Sequence, residues 1–171
     1  GYTEVFDIDD RRNTAREHQR NWSETRNKST LDEAKSAADR EEYEQAIELA
    51  SMILANLDEA STQTGVTEEL RETALEKQGE WERELLVSKI NTALDADPGQ
   101  AREAAKQLES VLSELPETDV LSDQERTLLQ QEARDAYVAV CTRGARHLIE
   151  SGEKQRQAGD NDDAWGTFRD A

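Results

Sequence analysis

The sequence predicts an all-α protein of tandem antiparallel helical hairpins, stacked as a short α-solenoid. Three observations carry that expectation. Apolar residues recur at steps of three and four, the period of one helix face. Chain breakers are few, with only two prolines, Pro98 and Pro116. A stretch of sequence around Trp22 returns around Trp81, 59 residues later.

Composition alone leaves disorder open. Only 30 of the 171 residues are Leu, Ile, Val or Phe, and the net charge is -18. Chains this polar and charged often fail to bury a core. Against that stand 21 alanines, the strongest helix former, and the periodicity itself.

The elements follow in order. Residues 1–7 carry only Val5 and Phe6 as strong strand formers and are expected to be an extended N-terminal tail. A long helix is expected over 8–39, interrupted if Thr30 and Glu33 form a capping box. The stripe Tyr43, Ala46, Ile47, Ala50, Ile53, Leu54, Leu57 predicts a helix over 42–63. Thr67 reads as an N-cap opening 68–95, with Glu68 and Glu69 favourable in the first turn. Asp97, Pro98 and Gly99 mark a turn. The stripe Ala101, Ala104, Ala105, Leu108, Val111, Leu112, Leu115 follows over 99–115. Ser122 and Glu125 form a capping box that opens 123–157. Ala158, Gly159 and Asp160 break the chain before a last helix from 160.

The pattern is long helix, turn, shorter helix, three times over. Six identities align at one spacing: Arg12, Thr14, Ala15, Glu17, Gln19 and Trp22 against Arg71, Thr73, Ala74, Glu76, Gln78 and Trp81. A weaker third copy places Tyr137 where the tryptophans stand. Ala46, Ala104 and Ala164 correspond in the second helices. The repeats are thus approximately 8–65, 66–121 and 122–171, the last truncated. A lone hairpin cannot cover its apolar face, whereas stacked copies cover each other. Trp22, Trp81 and Tyr137 are therefore expected to be packing residues. Gly1 is not an initiator, so a segment of a longer repeat protein is expected.

Catalytic chemistry finds little footing, and no catalytic residue, metal ligand or cofactor is assigned. Cys141 follows Val138, Ala139 and Val140 in a long helix and is expected to be a small buried thiol. His18 and His147 each stand alone, which excludes ordinary zinc spacing; His147 is expected to be partly buried. Asp160, Asp162 and Asp163 lack the glycine and glutamate of a calcium loop, and suit a helix N-terminus. An acid excess this large excludes a general nucleic-acid binder, because phosphate contacts need cations. No apolar run is long enough for direct membrane insertion. The compartment stays open, with the cytoplasm slightly favoured, because a segment of a longer protein need not carry its targeting signal. Residues 41–120 hold 20 acids and 6 bases, so the acidity concentrates mid-chain. A solvated outer face, a halophilic source or a docking face for a basic partner each accounts for it.

The second helices resemble the tetratricopeptide repeat. Gly159, Ala164, Phe168 and Ala171 carry its turn glycine and its small, aromatic and small residues, with Gly152 as the small residue of the first helix. Gly99, Ala104, Leu108, Val111 and Pro116 repeat the pattern, and Tyr43, Ala46, Ala50 and Ile53 follow it in part. The period, about 58 residues, exceeds the family's length of about 34, through a longer first helix. The resemblance implies a protein–protein interaction scaffold that holds a peptide or protein segment in a groove lined by the first helices. In that register the groove presents Lys28, Leu31, Lys35 and Asp39, then Lys89, Ala93 and Asp97, then Arg146, Ile149, Glu153 and Arg156. The bases Lys28, Lys35, Lys89, Arg146 and Arg156 would favour an acidic partner. Two other readings stay open: an elongated spectrin-like or coiled-coil spacer, and an extracytoplasmic helical-bundle domain that senses a small ligand.

Overall fold

The computed structural model describes residues 2–59, 65–118 and 120–170. All regular structure among them is helical: α1 (Tyr2–Ala38), α2 (Tyr43–Glu59), α3 (Gly65–Asp95), α4 (Ala101–Glu114), α5 (Asp123–Gln157) and α6 (Asn161–Asp170). Two 3₁₀ turns, Pro98–Gln100 and Leu115–Glu117, flank α4. The chain divides into two compact units, residues 1–82 and 83–171, with the boundary inside α3.

Three local expectations are corrected. Helix α1 begins at Tyr2, not after an extended 1–7 tail. Residues 2–7 contain neither proline nor glycine, so nothing in the sequence stops the helix from propagating into them. Thr30 does not cap a new helix: its hydroxyl donates to the Arg26 carbonyl one turn back, and α1 runs on unbroken. Thr67 lies within α3, which starts at Gly65. The remainder of the expected 42–63 helix, residues 60–63, lies outside the described residues.

In the first unit, α1 and α2 form an antiparallel hairpin. Leu31, Ala34 and Ala37 of α1 pack with Ala46, Ala50, Ile53 and Leu57 of α2. Leu70, Ala74 and Trp81 of α3 close the same core. Five alanines among these residues let the helices approach closely, and Trp81 supplies bulk. The connection is a Schellman turn: the Glu42 amide bonds the Ala37 carbonyl and the Glu41 amide bonds the Ala38 carbonyl. Glu41 takes the left-handed conformation that this turn needs, at φ 62°.

In the second unit, Leu86, Ile90 and Ala93 of α3 pack with Ala101, Ala104, Leu108 and Val111 of α4 and with Leu129, Ala133, Ala136 and Val140 of α5. The Ser122–Glu125 capping box forms as the sequence predicts, with the Ser122 hydroxyl accepting from the Glu125 amide at 3.3 Å. That hydrogen bonding, chiefly from the Ser122 side chain, holds the Glu125 carboxyl below its ordinary range. Gly144 is buried where α5 meets Ala101, and Gly152 is buried against the Phe168 ring of α6. Gly159, at φ 90°, closes α5 with the same Schellman pattern as Glu41 closes α1.

Several buried positions are 59 residues apart. Leu70, Ala74 and Trp81 are buried, and so are Leu129, Ala133 and Val140, each 59 residues on. Leu31 and Ala34 correspond likewise to Ile90 and Ala93. Ala46, Ala104 and Ala164 are all buried.

Candidate functional site

The side of α5 opposite its core carries an exposed stripe. Leu128, Val138 and Ile149 are 57%, 63% and 46% exposed. They are ten and eleven residues apart, close to three helical turns, so they share one side of the helix. Scattered exposed aliphatics are ordinary on protein surfaces, but three aligned on one face are a feature to explain. Arg146, Glu153 and Arg156 are exposed at steps of three and four along the same face. From Leu128 to Arg156 the face runs for about 42 Å at 1.5 Å per residue.

The groove residues expected from sequence do not all reach the surface. Leu31 and Ala93 are buried, because the apolar face of each long helix turns into its hairpin core. The three lysines are engaged locally. Lys28 pairs with Glu24 at 3.2 Å, Lys35 with Asp32 at 3.7 Å, and Lys89 with Glu114 at 3.0 Å. Lys89 thereby ties α3 to α4. Burial pushes the Glu114 carboxyl up, but hydrogen bonds from Ser110 and Lys89 outweigh it and leave it below its usual range. Arg146 and Arg156 form no ion pair with any described residue. Of the expected bases, these two alone sit beside an exposed aliphatic residue on a common face.

Several single residues depart from expectation. Trp81 is buried in the first core, but Trp22 is 65% exposed, with the Arg26 guanidinium 5.5 Å from its ring centroid. On α1 it lies half a turn round from Leu31, at the rim of a cleft, and among the described residues no core takes it in. Tyr137 is half-buried at the edge of the second core, its hydroxyl donating to Glu109 at 3.1 Å. Val140, 59 residues after Trp81, is fully buried instead. Cys141 is exposed and not a buried thiol, because the buried side of α5 passes through Val140 and Gly144. His147 is likewise exposed. Asp160, Asp162 and Asp163 crowd the start of α6, and the charge of Asp160 raises the Asp163 carboxyl above its ordinary value.

The exposed aliphatics of α5 are the feature that sequence reasoning missed. A signal was present: Leu128, Val138 and Ile149 fall off the stripe Leu129, Ala133, Ala136, Val140 that predicts the core side.

No family model, curated protein or solved structure matches this chain. No described helix is long and apolar enough to cross a membrane.

Proposed function

We propose that the chain is a non-catalytic protein–protein interaction module of tetratricopeptide-like hairpins, which holds a peptide or protein segment along the outer face of α5. The observation that supports it is the coincidence on one face of three exposed aliphatic side chains and two arginines that have no ion-pair partner among the described residues. Apolar contact would supply most of the affinity, at roughly 25 cal/mol per Å² removed from water. Arg146 and Arg156 would select acidic side chains and speed their encounter. A surface of this length suits about a dozen residues of extended chain. The shared burial of positions 59 apart supports reading the hairpins as successive copies of one unit.

A display selection of random peptides on the intact chain tests the proposal. Peptides that combine acidic and apolar residues are expected to be enriched, and to be released by Val138→Asp with Ile149→Asp. Both positions are exposed, so the double variant is expected to fold as the parent does. Selection of basic peptides, or retention by the folded double variant, would contradict the assignment.

A further inference from the structure

The first unit holds a cleft of about 1030 Å³ between the N-terminal half of α1 and the adjoining ends of α2 and α3. Its α1 wall prolongs the inward stripe Leu31, Ala34, Ala37 toward the N-terminus, but the residue type changes abruptly. Asn27, Glu24, Arg20, Glu17, Arg16 and Asn13 replace the apolar residues. Asn56 and Thr67 face them from α2 and α3. With Arg26 also on the wall, the lining carries three arginines and two glutamates, in a chain whose net charge is -18. Glu24 is already engaged by Lys28.

Asn27 makes this more than a polar surface. It is 2% exposed, and its Oδ1 accepts from the Asn56 amide at 3.4 Å. Its Nδ2 is buried and donates to no described group. An orphaned buried amide costs about 1–3 kcal/mol. The position does not require an amide for packing, because Leu86, 59 residues later, is buried in the second core. The first unit thus places an unsatisfied donor where its counterpart places a leucine.

We propose that this cleft binds a small organic carboxylate, with the Asn27 Nδ2 donating to one carboxylate oxygen and the arginines of the α1 wall supplying positive charge around it. Planar guanidinium and amide donors match a planar carboxylate. Tetrahedral phosphate and sulfate do not present that planar pair of oxygens. The site is separate from the α5 face and does not depend on it.

The test is an amide-resolved NMR titration of the full chain with three probes: succinate, a blocked tetrapeptide with a free C-terminal carboxylate, and sulfate. Succinate is expected to shift the Asn27 and Asn56 side-chain amides saturably. Binding by the tetrapeptide instead would keep the carboxylate chemistry and assign its source to a chain end. Asn27→Leu is expected to melt no lower than the parent and to weaken binding at least tenfold, and Arg16→Gln to weaken it by a smaller factor through lost charge. No saturable shift from succinate or tetrapeptide, or sulfate binding as tightly as either, would overturn the proposal. So would a lowered melting point of Asn27→Leu, which would make Asn27 a structural residue, or undiminished binding by either variant.

Discussion

Trp22 and Trp81 share a sequence context but not an environment. Trp81 lies in the first core, whereas Trp22 is exposed on α1 and joins no core cluster among the described residues. Trp81→Ala is expected to cost about 3–5 kcal/mol of unfolding free energy, from lost transfer energy and the cavity left behind. Trp22→Ala is expected to stay within about 0.5 kcal/mol of the parent. Chemical denaturation of both variants checks the contrast, and equal losses would refute it. The sequence could not separate the two, because identity at a fixed spacing says nothing about whether another element packs on that side. The glycines of α5 and α6 offer a second comparison. At Gly144 an added Cβ would come within 2.4 Å of the Ala101 Cβ, which is fixed to backbone. At Gly166 it would meet nothing within 4 Å. Gly144→Ala is therefore expected to destabilise by about 1–3 kcal/mol despite alanine's higher helix propensity. Gly166→Ala is expected to stabilise by up to about 1 kcal/mol. Thermal melts that rank the two the other way would remove close helix contact as the role of Gly144.

At the scale of elements, most of the fold was legible because its punctuation is explicit. The Asp97, Pro98, Gly99 turn, the Ser122–Glu125 box and Gly159 each end or begin a helix where the sequence places them. The first hairpin turn was harder to read, since Glu41 occupies a left-handed position that Gly159 fills in the last one. A non-glycine residue pays about 1–2 kcal/mol there. Glu41→Gly is expected to raise the unfolding free energy by roughly 0.5–1 kcal/mol, with the α1–α2 hairpin unchanged; a fall would show that Glu41 serves another role. The candidate site was less legible than the helices. Lys28, Lys35 and Lys89, expected to line a groove, are each committed to a carboxylate nearby. The Lys89–Glu114 tie has a definite pH signature. The folded carboxyl lies below its unfolded value, so its contribution is fully present above the ordinary glutamate range. It is lost only as pH falls through the lower folded value. A side-chain NMR titration is expected to leave Glu114 ionised at pH 5; a midpoint above the ordinary range of about 4.3 would contradict the pairing.

For the whole molecule, charge is the dominant fact. A net charge of -18 over 171 residues opposes any compact state, and added salt screens that repulsion. Circular dichroism is expected to show predominant helix at moderate salt, with a melting temperature that rises with ionic strength; a coil spectrum would contradict the fold. Against this acidic background the bases of α5 acquire meaning. Arg146 and Arg156 flank Ile149 on an exposed face, where a general acidic surface would repel an acidic partner. A charge-swap binding measurement tests the interaction reading most directly. The dissociation constant of a selected acidic peptide is measured against the parent and against Arg146→Glu with Arg156→Glu. A lysine-substituted peptide is then measured against the same double variant. The account predicts at least tenfold weaker binding on charge reversal and recovery with the lysine peptide. Unchanged affinity in a folded double variant, or loss without recovery, would contradict the claim that this face reads its partner by charge.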